Sequence, residues 1–289
     1  MARVAVITGG TSGIGFDVAK ELSKDGTWQV NIVGSNASKG PKAAALLPNT
    51  RFFQADVRNY QQLASVFSTV FETARRLDFV FANAGVSEAG SFFAADTADT
   101  ADTTSTASST AAPPEPSLDL VRVNLDGALY TSYLAMHYFR RSPDETKGRR
   151  DLVLTASIGG LHPCALTPVY SATKHAIVGF TRSVGKKLFA EGMRVNCICP
   201  GVVRTPLLTE NPDLLACFPG DTLVSIEKVT GVVLGLISGG GMEDTNGVRV
   251  GAGEMHSRAV HITGEGFYFA EMLDLPDDAA RKTWGSMMG

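Results

Sequence analysis

Apolar and polar positions along this chain follow two rhythms. Arg3–Thr8, Trp28–Val33, Arg51–Gln54 and Asp78–Ala82 carry apolar residues at consecutive positions. Longer stretches between them repeat apolar residues every three or four positions, as in Tyr60–Arg76 with Leu63, Val66, Phe67, Val70, Phe71 and Ala74. The first rhythm suits strands buried on both faces and the second suits helices. The pattern predicts helices from the Gly-rich turn to about Lys24, around Lys42–Leu47, over Tyr60–Arg76 and from Ser117, a fitting cap, to about Arg141. Further on it predicts strands at Asp151–Ala156, Met193–Cys199 and, last, Arg258–Ile262. Helices are expected at Val169–Ala190, near Leu207–Leu215 and at Ile226–Ile237, whereas Gly239–Gly253 and the tail around Gly264, Gly266 and Phe267-Tyr268-Phe269 show no period. Strands alternating with helices imply an α/β fold with a doubly wound parallel sheet in three layers, helix, sheet, helix.

The rhythm breaks at Ala94–Ser117, where Ala-Asp-Thr repeats three times and Pro113-Pro114-Glu115-Pro116 follows. Such a stretch cannot bury enough apolar surface to offset its ordering entropy and reads as a flexible surface insertion. Because the strand–helix rhythm resumes afterwards, one domain over 1–289 is expected. Hydrophobic residues make up 44% of the chain, enough for one large core. Lys+Arg number 26 against 29 Asp+Glu, and no basic run argues for nucleic acid or an anionic membrane. Cys164, Cys197, Cys199 and Cys217 have no metal-ligand spacing, so no metal is expected and a reduced cytoplasmic setting is. No leader is expected ahead of Val4, and no apolar run reaches the ~18 residues of a bilayer span.

Candidate chemistry gathers at strand ends. The first strand runs into Thr8-Gly9-Gly10-Thr11-Ser12-Gly13-Ile14-Gly15. Gly9, Gly13 and Gly15 permit a tight turn, close approach to a phosphate and packing of the next helix, whose N-terminus suits a pyrophosphate. An ordinary Gly-rich strand–helix turn looks the same. Asp56-Val57 ends the third strand, where the carboxylate can accept from an adenine amino group or cap a helix. Asn83-Ala84-Gly85 ends the fourth, either tying strands together beside a ribose or marking a turn. Tyr170 and Lys174 stand four apart at a helix start, on one face. A phenol titrates near ~10 and a neighbouring cation lowers that value toward a useful base, although this spacing alone also describes a solvated helix face. Ser157, 13 residues before Tyr170, offers a hydroxyl at the end of the fifth strand.

Taken together, these residues resemble the short-chain dehydrogenase/reductase family over almost the whole chain. The matching segments are Thr8–Gly15, Asp56-Val57, Ala82–Gly85, Asn124 within Val123–Gly127, Ser157, Tyr170 with Lys174, and Pro200–Thr205, all in the family's order. The resemblance implies a Rossmann-type fold and hydride transfer between a nicotinamide cofactor and a ketone or secondary alcohol. Tyr170 would be the general acid/base and Ser157 would orient the substrate oxygen. Lys174 would bind the nicotinamide ribose and lower the tyrosine pKa, and Asn124 would hold a water of the proton relay. Cofactor contacts are implied for Gly9, Thr11, Ser12, Gly13, Ile14, Gly15, Asp56, Val57, Asn83, Ala84, Gly85, Tyr170 and Lys174, with Pro200, Gly201, Val203 and Thr205 around the carboxamide. Family members commonly form homodimers or homotetramers through helices that correspond here to 118–141 and 169–190.

NAD-preferring relatives carry an acid at the end of the second strand, where this chain reads Val33-Gly34-Ser35-Asn36. Nothing there repels a 2′-phosphate, and Ser35 and Asn36 can donate to it, so NADP(H) is favoured with NAD(H) as the alternative. Leu161, His162, Cys164 and Leu166, with Leu207, Leu208, Leu214, Leu215 and Phe218, suggest an apolar pocket under a lid at about 206–225. The tail and the 124–141 helix look like fungal relatives of 15-hydroxyprostaglandin dehydrogenase. The expected substrate is a lipophilic, secondary-metabolite-like small molecule. The alternatives are an NAD-dependent alcohol dehydrogenase, an epimerase or dehydratase of the same family, and a non-catalytic NADP-sensing binding protein.

Overall fold

Val4, Ala5, Val6 and Ile7 are each at most 1% exposed, because both faces of their strand are covered. The computed structural model describes residues 2–24, 26–90, 92, 115–210, 215–218 and 220–287. Its first half runs β1 (Arg3–Thr8), α1 (Gly13–Ser23), β2 (Trp28–Gly34), α2 (Lys39–Ala45), β3 (Thr50–Gln54), α3 (Tyr60–Ala74) and β4 (Phe79–Ala82). The second half has α4 (Asp119–Val121), a π-turn at Arg122–Asp126, α5 (Gly127–Arg141), β5 (Arg150–Thr155), α6 (Pro168–Ala190), β6 (Met193–Pro200) and α7 (Pro206–Thr209). It closes with α8 (Ile226–Ile237), β7 (Met242–Glu243), β8 (Arg249–Val250), β9 (Ala259–Ile262), β10 (Phe267–Phe269) and α9 (Asp278–Met287).

The large sheet has the order β10-β9-β6-β5-β4-β1-β2-β3. Alternate residues of β1 feed two cores. Val4 and Val6 face α3, α5 and α6, while Ala5 and Ile7 face α1, α2 and α8. This is a three-layer, doubly wound Rossmann-type fold.

Four expectations need correcting. The sheet is not wholly parallel, since β10 pairs antiparallel with β9 and extends the sheet past the strand expected to be last. Ser117 does not cap the following helix. Its cap is Leu118, without a side-chain hydrogen bond, and the π-turn interrupts it before Gly127. The second helix begins at Lys39, because Asn36 Oδ1 accepts from the amides of Ser38 and Lys39 at 2.9 and 2.8 Å and starts it earlier. The helix near Leu207 is a single turn, Pro206–Thr209. The expected insertion at 94–117 lies outside the described residues except for 115–117, and the expected lid is described except for 211–214 and 219. Among the described residues no helix is long and apolar enough to cross a membrane, and no group of three His, Cys, Asp or Glu residues is placed to hold a metal.

Candidate active site

β1 pairs in parallel with both β2 and β4, so the chain winds away in two directions from β1 and a crevice opens at the carboxyl ends of these strands. Gly9 turns there with φ +65°, and a Cβ on it would lie 2.8 Å from the Ala84 Cα. A Cβ on Gly15 would lie 2.5 Å from the Gly9 carbonyl oxygen, so the turn packs flat against the segment after β4. Asn83 stitches the crevice together. Its Nδ2 donates to the Gly9 carbonyl at 3.3 Å, and its Oδ1 accepts from Thr155 Oγ1 at 3.0 Å. α1 starts with neither a side-chain cap from Ser12 nor an acid in its first turn. Its leading N–H groups and positive dipole end therefore suit a bound pyrophosphate.

Two cavities meet over this turn. One, of about 1000 Å³, runs along Gly34, Ser35, Asp56, Val57 and Arg58. The other, of about 340 Å³, runs along Ser157, Tyr170, Lys174, Pro200–Val203 and Thr205. Gly9, Thr11 and Ala84–Ser87 line both, so they form a continuous trough shaped for an extended two-part molecule. A dinucleotide fits this trough, with the bare N-terminus of α1 suited to its pyrophosphate.

Inside the smaller cavity Ser157 and Tyr170 line one wall, with Ser157 Oγ accepting from the Gly159 amide at 3.1 Å and the Ser157 hydroxyl drawing the phenol pKa down. Lys174, one turn on, is buried. Its Nζ donates to the Thr155 carbonyl at 2.7 Å and lies 5.4 Å from the centre of the Tyr170 ring. Burial pushes its pKa down to about 8. The expectation that Lys174 lowers the phenol pKa is not met by the folded chain alone. Burial raises the Tyr170 pKa and outweighs the Ser157 hydrogen bond, while the ammonium spends a proton on Thr155. Asn124 is also committed. Its Oδ1 accepts from the Val86 amide at 2.8 Å and its Nδ2 donates to the Val86 carbonyl at 3.0 Å, so the side chain clamps the β4 loop beside Lys174.

The short chain dehydrogenase family profile matches residues 3–214. The chain belongs to this family. It is 39% identical to the short-chain dehydrogenase/reductase prx7 of Penicillium rubens over 93% of this chain and 94% of that one. It is 33% identical to the 15-hydroxyprostaglandin dehydrogenase [NAD(+)] of Rattus norvegicus over 71% of this chain and 70% of that one. Among solved structures, ElxO with NADP bound superposes with a TM-score of 0.69 at 23% identity, covering 91% of this chain and 98% of that chain, a likeness of fold.

This short-chain dehydrogenase brings nearly all the residues singled out in its sequence to one trough. Gly15, Asn36 and Asn124 are exceptions that line neither cavity, and Asn36 Oδ1 is spent on α2. Asp56 neither caps α3, which Asn59 does, nor presents a free carboxylate. It holds Arg58 at 2.7 Å, and that pairing keeps it below the usual carboxylate range. Cys164, Leu207, Leu208 and Phe218 line the smaller cavity as expected. Leu161 turns into the core instead, His162 lies beside His261 and Leu166 is exposed. Leu215 does not line the cavity, and Leu214 lies outside the described residues. Sequence reasoning missed Val86, Ser87, Ile158 and Thr167 of the cavity wall, and Arg58 beside Asp56. No spacing rule marks them, because each reaches the trough through a loop.

Proposed function

We propose that this oxidoreductase uses NADP(H) to interconvert a ketone and a secondary alcohol on a lipophilic small molecule. The observation that carries the proposal is that Tyr170, Ser157 and buried Lys174 line one wall where an apolar cavity joins the dinucleotide trough. The cofactor supplies or accepts the hydride. Tyr170 gives the substrate oxygen its proton in reduction and takes it back in oxidation, with Ser157 holding that oxygen in reach. Lys174 stands where a nicotinamide ribose would sit, with Pro200, Gly201, Val203 and Thr205 walling the carboxamide end. Ile158, Leu207, Leu208 and Phe218 give the substrate an apolar surround. The proposed assembly is a homodimer or homotetramer, to which the exposed Tyr133 on α5 offers a contact, and the proposed compartment is the cytoplasm.

The cofactor preference comes from this chain's own residues, since its relatives include a dehydrogenase named for NAD(+) and a fold likeness that holds NADP. Gly34 stands where NAD-preferring relatives carry the acid that pairs with an adenosine 2′-hydroxyl, and a Cβ on it would lie 2.9 Å from Thr11 Cγ2, so an acid there would have to push the Thr11 side chain aside. Ser35 lines the same cavity and offers a hydroxyl to a 2′-phosphate, while Arg58 lines it paired with Asp56. Fluorescence titration of the purified protein should show NADPH binding at least tenfold tighter than NADH, a gap of about 1.4 kcal/mol. Equal or tighter NADH binding overturns the cofactor preference, and binding of neither overturns the proposed function.

A further inference from the structure

α6 begins with little help from its own sequence. Its cap, Thr167, makes no side-chain hydrogen bond, Pro168 at the first position has no N–H, and the first turn carries no acid. Ser171 N donates to the Thr167 carbonyl at 2.9 Å. The amide of Tyr170, the helix's third residue, is instead taken by a side chain 82 positions away, as Glu88 Oε2 accepts from Tyr170 N at 2.8 Å. A carboxylate suits this place because helix N-termini offer unpaired donors and a positive dipole end, and an ionised acceptor strengthens the bond.

Glu88 lies six residues past β4, in the loop that lines the larger cavity. Two residues earlier the same loop is clamped at Val86 by Asn124, from the π-turn. One loop is therefore pinned at Val86 beside Lys174 and at Glu88 to the backbone of Tyr170. The phenol's place over the cavity follows from where the first turn of α6 sits: Ser171 Oγ ties that turn to the Gly159 carbonyl at 2.6 Å, and Glu88 ties it to the loop after β4.

We propose that Glu88 is a positioning residue. By holding the Tyr170 amide it sets the phenol against Ser157 and the substrate oxygen without touching the reacting atoms. The proposal rests on the acid/base reading of Tyr170 above. Misplacing a reacting group by about 1 Å can cost on the order of a hundredfold in rate, so a loosened anchor should be read in turnover before it is read in binding.

The test compares the parent chain with Glu88→Ala and Glu88→Gln, the latter keeping an acceptor oxygen but no charge. Hydrogen–deuterium exchange of the peptide around Tyr170 should run about tenfold faster in Glu88→Ala, the size expected for one lost hydrogen bond, and near the parent rate in Glu88→Gln. With an accepted ketone and NADPH, Glu88→Ala should lower kcat by about tenfold to a hundredfold, with both KM values and NADPH affinity within about twofold. Glu88→Gln should recover most of that loss. If Glu88→Ala does not fold, Glu88→Asp, one methylene shorter, takes its place with the same expected losses. Unchanged exchange overturns the proposal. So does faster exchange with unchanged kcat, which leaves Glu88 a helix cap alone, or a loss carried by KM or NADPH affinity. If the parent chain turns over no ketone or alcohol, the proposed function falls, and the exchange rate still decides whether Glu88 holds Tyr170.

Discussion

Tyr170→Phe should lower turnover by about 10²–10⁴-fold, the range for losing a positioned general acid/base, while NADPH binds within about threefold of the parent. The substitution removes one oxygen from a half-buried ring and leaves the α1 turn and the larger cavity intact, so binding and chemistry should separate cleanly. The pH dependence follows from the protonation state that each direction needs. Burial raises the phenol pKa, so Tyr170 in the free enzyme is protonated throughout the neutral range. Reduction needs that proton and should run level with pH until an alkaline fall. Oxidation needs the phenolate and should climb with pH, up to about tenfold per unit, below the phenol pKa. Steady-state rates in both directions from pH 6 to 10, with paired cofactor titrations, check both statements. A variant with more than about a tenth of parental kcat would remove Tyr170 from the proton transfer.

The parts of the fold legible from sequence are those whose signal is local. Runs buried on both faces marked β1, β2 and β6, and helical spacing marked α8 at its observed ends, since neither depends on knowing the neighbours. β10 has only three residues, too few for a period. Much of what holds it comes from the stretch that resisted assignment, since Asp244 Oδ2 accepts from the Phe269 amide at 3.0 Å and Thr245 Oγ1 from the Phe267 amide at 3.0 Å. The site divides the same way. Gly9, Asn83, Ser157, Tyr170 and Lys174 were readable because their spacing and place at strand or helix ends are one-dimensional. Glu88 and Arg58 reach the trough from loops whose approach spacing does not encode. The Tyr170–Lys174 spacing showed that the two are neighbours but not that burial would act on both, and burial decides the direction of both pKa shifts.

That burial makes Lys174 costly to the fold, so Lys174→Met should trade stability against activity. Turnover should fall by about 10²-fold or more, because the residue beside the phenol, proposed to hold the nicotinamide ribose, is gone. Stability should move the other way near pH 7. The Lys174 pKa falls from an ordinary 10.5 to about 8 in the folded chain, so keeping it charged at neutral pH costs on the order of 3 kcal/mol. Methionine fills a similar volume without the charge and forfeits the bond to the Thr155 carbonyl, a loss of about 1–3 kcal/mol. The net expectation at pH 7 is a variant as stable as the parent or up to about 2 kcal/mol more so. The pH dependence is the sharper test. Between about 8 and 10.5 the unfolded chain binds more protons at this lysine than the folded one, so parental stability gains with rising pH from this group. The Met variant lacks that gain. Its Tm relative to the parent should therefore be highest at pH 7 and decline steadily toward pH 10. A Tm difference that stays constant across this range would mean that Lys174 keeps its ordinary pKa in the folded protein, and that its ammonium is held in the site without a cost to the fold.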